Sequence, residues 1–264
     1  MIPAEKHLPL AIRTAVAAGQ AIMEIYDSPD SDWQVERKAD NSPLTLADRR
    51  AHAVIAEALM TTPWPLLSEE GAHENYEVRR EWQTLWIADP LDGTKEFLKR
   101  NGEFTVNIAL VHKGVPVLGV IYVPVARRIY WGSEDGAFRA AVSEDGTVSP
   151  DVEALPLSTL PEDRPFTVVA SRSHLSAETE AFVEACRREH GEVILRSAGS
   201  SLKICLVAEG VADVYPRLAP TMEWDTAAGH AIALAAGREV VDAETGCPVV
   251  YNKADLLNPF FFVR

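Results

Sequence analysis

Basic residues are scarce in this sequence. Its 264 residues include 25 Lys and Arg against 39 Asp and Glu, which gives a formal net charge of −14 at pH 7. Proteins that bind nucleic acids or anionic membranes broadly do so through a positive surface. The acidic balance therefore argues against both kinds of partner. A phosphate-containing substrate would need bound cations to reverse the local charge.

Cysteines and long apolar runs are scarce as well. Cys186, Cys205 and Cys247 are scattered and form no CxxC pair, which predicts reduced thiols in a cytoplasmic protein. The apolar run Ala15–Ala18 is too short for a signal peptide, and charged residues interrupt its surroundings. Nothing approaches a membrane span, so we expect no transmembrane segment. The chain therefore predicts a soluble globular fold.

Apolar periodicity in the first half predicts helices followed by a strand meander. Helices are expected over Ala4–Tyr26 and Ala47–Met60, and an antiparallel hairpin over Phe104–Val111 and Val115–Val123. The segment Ser143–Pro165 is rich in Pro, Asp, Glu and Ser, which favours a boundary there. We therefore expect an α+β subdomain over residues 1–150 and a second subdomain over 151–264.

The second half alternates strand and helix, which indicates an α/β arrangement. The predicted elements are Thr167–Ala170, Ala177–His190, Val193–Arg196, Ser201–Glu209, Ala212–Tyr215 and Thr226–Ala236. The chain as a whole is predicted to be an α/β protein.

The most informative motif follows the apolar run Leu85–Ala88. Pro90 withholds a backbone donor, so we expect the strand to end at Asp89, and Gly93 permits a tight turn. The oxygen donors crowded at this strand end are Asp89, Asp92, Thr94 and the carbonyl of Leu91. Hard oxygen donors suit Mg²⁺ better than softer metals. In isolation, a simple Asx turn that closes the strand is the alternative.

Two further acidic residues stand at the ends of predicted elements. Glu69 follows the short apolar strand Leu66–Leu67, and Asp225 opens the predicted helix Thr226–Ala236. Asp225 has two interpretations, a helix cap or a metal ligand beside a helix N-terminus that accepts a phosphoryl group. Several converging carboxylates would repel one another by several kcal/mol. Cations must therefore belong to such a site, and two Mg²⁺ about 4 Å apart hold the attacking and leaving oxygens of a phosphate ester.

These motifs resemble those of a known family. Glu69-Glu70, Asp89-Pro-Leu-Asp-Gly-Thr94 and Trp224-Asp-Thr-Ala-Ala-Gly229 look like the metal motifs of the inositol monophosphatase superfamily of Mg²⁺-dependent, lithium-sensitive phosphatases. Further segments look like 3'(2'),5'-bisphosphate nucleotidases of the CysQ type. These segments are Lys38–Pro43, Leu67–Glu70, Asp92–Phe97, Lys99–Leu110, Ser171–His174, Gly199–Lys203 and Leu206–Gly210. Glu96 stands where typical inositol phosphatases carry Asn, which favours the nucleotidase branch.

The resemblance implies a layered αβαβα sandwich of the inositol monophosphatase and fructose-1,6-bisphosphatase type, with two or three Mg²⁺. The implied metal ligands are Glu69, Asp89, Leu91 through its carbonyl, Asp92 and Asp225, with Asp89 bridging two ions. Asp48 and Thr94 resemble the pair that orients and deprotonates the attacking water. Taken alone, Asp48 would be interpreted as a solvated charge on a helix. The residues expected to contact substrate are Glu69, Leu91, Gly93, Thr94, Ser171, His174, Gly199, Ser200, Lys203 and Asp225.

The resemblance predicts hydrolysis of adenosine 3',5'-bisphosphate (PAP) to AMP and phosphate, in PAP recycling and sulfur assimilation. It leaves open the sulfated nucleotide PAPS as a second substrate. One alternative is inositol monophosphate or another sugar phosphate as substrate on the same fold. The other is a phosphonucleotide-binding protein without turnover, which the Asp48 and Thr94 pair disfavours. A small-molecule phosphonucleotide is the expected partner in the cytoplasm. A homodimer and peripheral attachment to the cytoplasmic side of the inner membrane are left open.

Overall fold

The first half of the chain forms two long helices and a meander of strands. The computed structural model describes residues 4–28, 33, 35–37, 43–161, 163–171 and 176–264. A 3-10 turn at Ala4–His7 leads into α1. The elements are α1 (Leu8–Tyr26), β1 (Glu36–Arg37), β2 (Pro43–Leu44), α2 (Leu46–Leu59), β3 (Leu66–Ser68), α3 (Tyr76–Arg79), β4 (Thr84–Asp92), α4 (Thr94–Leu98), β5 (Thr105–His112), β6 (Val115–Val123), β7 (Arg128–Ser133), β8 (Gly136–Ala141) and β9 (Glu153–Leu155). Both predicted helices and the predicted hairpin are present.

The second half alternates strand and helix as predicted, and then adds two short strands. The elements are β10 (Phe166–Ser171), α5 (Ala177–His190), β11 (Val193–Ala198), α6 (Leu202–Ala208), β12 (Tyr215–Arg217), α7 (Glu223–Ala235), β13 (Val240–Asp242) and β14 (Phe261–Val263). Helix α5 has the predicted bounds. The strand expected at Ala212–Tyr215 lies further along the chain, as β12.

Strands β3 to β9 form one seven-stranded sheet in sequence order. β3 and β4 are parallel, and every other neighbouring pair in this sheet is antiparallel. Successive side chains of a strand point to opposite faces. In β4, Leu85 and Ile87 join one apolar cluster, while Trp86 and Ala88 join another. Both faces of the sheet are therefore buried, and each needs a cover of helices.

Helices α1 and α2 cover one face of the seven-stranded sheet, and α7 covers the other. Gly119 of β6 lies directly beneath α7. A Cβ atom added at Gly119 would stand 2.2 Å from the carbonyl oxygen of Ala228. Only glycine therefore permits this close approach of helix and sheet.

The second half adds two further layers. β10 and β11 form a parallel pair, and β12, β14 and β13 form an antiparallel sheet that an isolated bridge between Val168 and Val214 joins to β10. Helix α6 contacts α7 on one side and β10 and β12 on the other. Helix α5 buries Val183 and Cys186 against Val168 and Val214. The order helix, sheet, helix, sheet, helix confirms the predicted layered α/β sandwich.

Several element bounds differ from the predictions. β4 continues past Asp89 to Asp92, which pairs with Thr105, because a register shift between the two aspartates accommodates Pro90 within the strand. Helix α7 begins at Glu223, so Asp225 occupies its third position rather than preceding it. The seven-stranded sheet ends with β9, inside the segment Ser143–Pro165 where a boundary is expected, and the division into two subdomains stays a prediction.

One helix qualifies the expectation that nothing approaches a membrane span, by length and composition only. Residues Glu5–Tyr26 include a window with mean hydropathy 1.2, which is long and apolar enough to cross a membrane. A buried core helix meets the same criterion, so the observation is weak. Ala11, Ala15 and Ile22 of this helix are buried in the apolar cluster on the sheet.

Candidate active site

The turn after Asp89 gathers the oxygen donors predicted from the sequence. Asp89 Oδ1 accepts a hydrogen bond from the Leu91 amide at 3.0 Å, which is the Asx turn considered as the alternative. Gly93 has φ of 95°, a left-handed conformation that glycine adopts without strain, and α4 begins at the next residue. The Asx turn leaves the second carboxylate oxygen of Asp89 for another partner, so it is compatible with a metal site.

Carboxylates from three elements meet at this turn. Asp89, Asp92 and Asp225 each place an oxygen within 4.8 Å of the others. Asp225 Oδ2 accepts a hydrogen bond from the backbone amide of Met222 at 2.8 Å. Asp225 therefore caps the residue that precedes α7 rather than the amides of the residues that follow Asp225. Glu69 hydrogen-bonds to Asp89 through its side chain. We call Glu69, Asp89, Asp92 and Asp225 the carboxylate cluster.

Burial and mutual repulsion favour protonation of Asp89 and Asp225 in the carboxylate cluster. Burial, followed by the charges of Glu69, Asp92 and Asp225, raises the pKa of Asp89 well above its usual value. Burial, followed by the charges of Asp92 and Glu69, raises the pKa of Asp225 to about 8. All four side chains offer hard carboxylate oxygens, the donors that Mg²⁺ prefers. The cluster therefore fits divalent cations that would replace these protons.

Asp48 and Thr94 lie side by side, and the Thr94 hydroxyl contacts both Asp48 and the turn after Asp89. Asp48 is 1% exposed, so its interpretation as a solvated charge is wrong. Its Oδ2 accepts from the Thr45 amide at 2.7 Å, which closes a capping box on α2. Its Oδ1 lies 3.4 Å from the Thr94 hydroxyl, which also lies 3.5 Å from the Leu91 carbonyl. Burial raises the pKa of Asp48 to about 6, although the Thr45 hydrogen bonds oppose the change. This value suits a group that accepts a proton near neutral pH.

A cleft of about 160 Å³ is lined by Asp92 and Asp225 and by the segment Gly199–Lys203, which we call the loop wall. The Gly199 amide donates to Glu103 Oε2 at 2.9 Å. Ser200 has φ of 43°, which is uncommon for serine. The cleft therefore has one wall of carboxylates and another built from a tightly held loop.

Lys203, the last residue of the loop wall, has a largely buried side chain. It is 5% exposed, and its Nζ donates to the carbonyls of Ser200 at 2.5 Å and Ala198 at 3.3 Å. Burial lowers the pKa of Lys203 to about 8, while the charge of Asp92 opposes that change. Two of the three ammonium donors thus bind the loop backbone. Lys203 therefore fixes the loop in addition to placing a positive charge beside the cleft.

Three buried polar residues that the sequence analysis did not single out connect the loop wall with the carboxylate cluster. Ser201 Oγ lies 2.8 Å from Asp92 Oδ2, and Asn107 Nδ2 donates to Ser201 Oγ at 2.9 Å. Thr105 Oγ1 donates to Asn107 Oδ1 at 2.9 Å. The available signal was the pair of polar residues, Thr105 and Asn107, at the start of the largely apolar strand β5.

The structure places only some of the predicted substrate residues. Gly93, Gly199, Ser200 and Lys203 line the cleft, together with Asp225. Ser171 ends β10, but its side chain is not among those described. His174 and most of the Lys38–Pro43 segment lie outside the described residues.

Comparison with known proteins identifies the family. A sequence profile of the inositol monophosphatase family matches residues 4–259. The chain belongs to this family. The resemblance inferred from the metal motifs is therefore confirmed.

Individual members of the inositol monophosphatase family are similar over nearly the whole chain. The 3'(2'),5'-bisphosphate nucleotidase CysQ of Escherichia coli (strain K12) is 49% identical, over 93% of this chain and 94% of that protein. The crystal structure of CysQ from Bacteroides thetaiotaomicron has a TM-score of 0.90 and 53% identity, covering 100% of this chain and 98% of that one. The extragenic suppressor protein suhB from Bartonella henselae has a TM-score of 0.71 and 26% identity, covering 90% and 88%.

Proposed function

We propose that this member of the inositol monophosphatase family is a Mg²⁺-dependent phosphatase that hydrolyses adenosine 3',5'-bisphosphate to AMP and phosphate. The observation that carries the proposal is the meeting of Asp89, Asp92 and Asp225 within 4.8 Å, beside the Asp48 and Thr94 pair. Hard-cation ligands and a proton acceptor thus lie together. The CysQ relatives, named as 3'(2'),5'-bisphosphate nucleotidases, support the choice of substrate.

The carboxylate cluster and the Leu91 carbonyl would hold two or three Mg²⁺. Bound Mg²⁺ supplies a Lewis acid that polarises the phosphoryl group and neutralises charge on the attacking and leaving oxygens. The protein itself holds four acidic side chains close together, a geometry that protons or cations must stabilise.

Asp48 and Thr94 would manage the proton of the attacking water. When Thr94 donates a hydrogen bond to Asp48, the lone pairs of Thr94 Oγ1 remain available to accept a hydrogen bond from water. As the water attacks phosphorus, the bond from phosphorus to the ribose 3'-oxygen would break. One water proton would pass to Thr94, the Thr94 proton would pass to Asp48, and the released ribose oxygen would take a proton from solvent. The raised pKa of Asp48, about 6, makes it a suitable acceptor in this relay.

The loop wall would bind the remainder of the nucleotide. The carboxylate cluster engages only the scissile phosphate, which inositol phosphates also carry, so selection of a nucleotide requires other residues. Gly199, Ser200 and Lys203 line the same cleft as Asp92 and Asp225. We assign Ser171 and His174 to the same role. PAPS as a second substrate, a homodimer and a cytoplasmic location remain predictions.

Phosphate release from matched substrates tests this proposal. Adenosine 3',5'-bisphosphate, inositol 1-phosphate and fructose 1,6-bisphosphate would be compared at equal concentration, in Mg²⁺ and in EDTA. We expect the highest kcat/KM for the adenosine compound, 5'-AMP as its product, and no turnover in EDTA. A preference for inositol 1-phosphate would contradict the substrate assignment. Tight binding of the nucleotide without phosphate release would favour the non-enzymatic alternative.

A further inference from the structure

A chain of buried hydrogen bonds runs from the loop wall to the carboxylate cluster. It comprises Ser200, Thr105, Asn107, Ser201 and Asp92. Thr105 is 0% exposed, Asn107 1% and Ser201 3%. Such groups are costly to bury without partners and specify geometry when all of them are satisfied. The hydrogen bonds thus connect Ser200, through Thr105 and Asn107 of strand β5, to Ser201 and so to Asp92.

The available donors give this chain a direction. Thr105 donates its hydroxyl proton to Asn107 Oδ1 at 2.9 Å, so Ser200 Oγ, 3.0 Å away, must be the donor to Thr105. With its Oδ1 engaged, Asn107 directs Nδ2 at Ser201 Oγ, at 2.9 Å, and at Asp92 Oδ2, at 3.4 Å. The amide orientation of Asn107 therefore follows from its neighbours.

The hydroxyl of Ser201 is the last donor in this chain of hydrogen bonds, and two acceptors lie within its reach. Its single hydroxyl proton can reach Asp92 Oδ2 or the backbone carbonyl of Asp225, each at 2.8 Å. Ser201 therefore holds the Asp92 side chain and contacts the backbone of a second member of the carboxylate cluster.

We propose that Asn107 and Ser201 are positioning residues that orient the Asp92 carboxylate for the metal ions and tie its geometry to Ser200. This inference rests on the proposed role of Asp92 as a metal ligand. Partners of ligating carboxylates commonly change metal affinity or activity ten- to a hundredfold when they are removed. The chain of hydrogen bonds begins at Ser200, which lines the cleft. A change in the loop wall would therefore also change the orientation of the Asp92 carboxylate.

Mg²⁺ binding to purified variants tests the assignment without relying on turnover. Binding would be measured by calorimetry and by the Mg²⁺-dependent rise in melting temperature. Ser201→Ala and Asn107→Leu should each raise the Mg²⁺ concentration for half-saturation about ten- to a hundredfold. Their double variant should show less than the product of the two effects, because both changes interrupt the same chain.

Two control variants separate positioning from general packing. Ser201→Thr keeps the hydroxyl and should restore most of the Mg²⁺ affinity. Ser133→Ala removes another buried serine hydroxyl, on β7, two strands from β5 in the sheet, and should bind Mg²⁺ as the wild type does. Melting in EDTA would establish that each variant folds. If Ser201→Ala does not fold, Asn107→Leu provides the same measurement.

The outcomes distinguish this inference from the proposed function. A folded Ser201→Ala or Asn107→Leu protein with wild-type Mg²⁺ affinity would overturn the positioning role alone. A wild-type protein that binds Mg²⁺ but releases no phosphate from adenosine 3',5'-bisphosphate would contradict the proposed activity and leave the positioning role intact. A wild-type protein without Mg²⁺ affinity would overturn both.

Discussion

The carboxylate cluster and the loop wall border the same cleft, but different interactions hold them. The cluster brings together acidic side chains whose burial and repulsion raise the pKa values of Asp89 and Asp225. In the loop wall, the Gly199 amide binds Glu103, and Lys203 binds the Ser200 carbonyl. The cluster therefore depends on protons or cations from solution, whereas the loop wall is held by the protein's own donors and acceptors. Changes in the two regions should have different consequences.

Loss of charge at the centre of the carboxylate cluster should have the largest effect. Asp89→Asn should lower kcat about 10³-fold or more, because metal-derived stabilisation of the transition state amounts to several kcal/mol. The fold should survive, since asparagine has the shape of the protonated aspartate. Phosphate release in saturating Mg²⁺ and melting in EDTA measure the two effects, with exposed Asp151→Asn as a control. Near-wild-type turnover would remove Asp89 from the metal site.

Removal of the water-orienting hydroxyl should have the next largest effect. Thr94→Ala should reduce kcat about 10²-fold, at the lower end of the range for lost acid–base catalysis, with little change in Mg²⁺ affinity. Thr94→Ser retains the hydroxyl and should recover much of the rate. Kinetics as a function of Mg²⁺ and substrate concentration separate these parameters. A change confined to KM would assign Thr94 to substrate binding instead.

Removal of the Lys203 ammonium from the loop wall should produce a smaller, substrate-dependent effect. Lys203→Met keeps the apolar stem but leaves the Ser200 carbonyl without this donor. The lost charge-assisted hydrogen bond should reduce kcat/KM for adenosine 3',5'-bisphosphate about tenfold and that for inositol 1-phosphate less. Lys113→Met, at an exposed turn, is the control. Equal losses on both substrates would indicate that Lys203 supports only the fold or the metal site.

The pH dependence of stability is the fourth effect, and it is measured without substrate. The folded-state pKa of Asp225, about 8, exceeds its unfolded value, so the folded state binds the extra proton. Its stabilising contribution is present below about pH 4 and is lost as the pH rises through about 8. Each unit of pKa difference corresponds to about 1.4 kcal/mol.

Urea unfolding in EDTA from pH 5 to pH 8.5 measures this loss. Asp225→Asn should show a shallower decline in unfolding free energy than the wild type over this range. Mg²⁺ should restore the wild type at the upper end of the range. Parallel pH profiles for the two proteins would contradict the assigned protonation of Asp225.

Sequence patterns predicted the helices and strands whose bounds depend on neighbouring residues in the sequence. Helix α5 has the predicted bounds, because Ser176 caps its first turn and Gly191 follows its last residue. The hairpin of β5 and β6 was predictable from its two apolar runs and intervening Lys-Gly turn. The metal motifs were recognisable because their acidic residues occur in short, characteristic segments.

Tertiary contacts determined the features that the sequence patterns did not predict. Pro90 remains within β4 because the register shifts there, a consequence of pairing with β5. Asp48 is buried because its helix packs on the sheet, although its neighbours in sequence are charged. The contact between Asn107 and Ser201 joins residues 94 positions apart, and no local pattern predicts such a partner.

Proton release on Mg²⁺ binding tests most directly the claim that the carboxylate cluster is a cation site. Calorimetry at pH 7 in buffers with different ionisation enthalpies measures this release independently of substrate. Since Asp225 has a pKa of about 8 before the ion binds, we predict release of at least about one proton per chain. Asp225→Asn should release fewer. Mg²⁺ binding without proton release, or equal release from both proteins, would contradict the account.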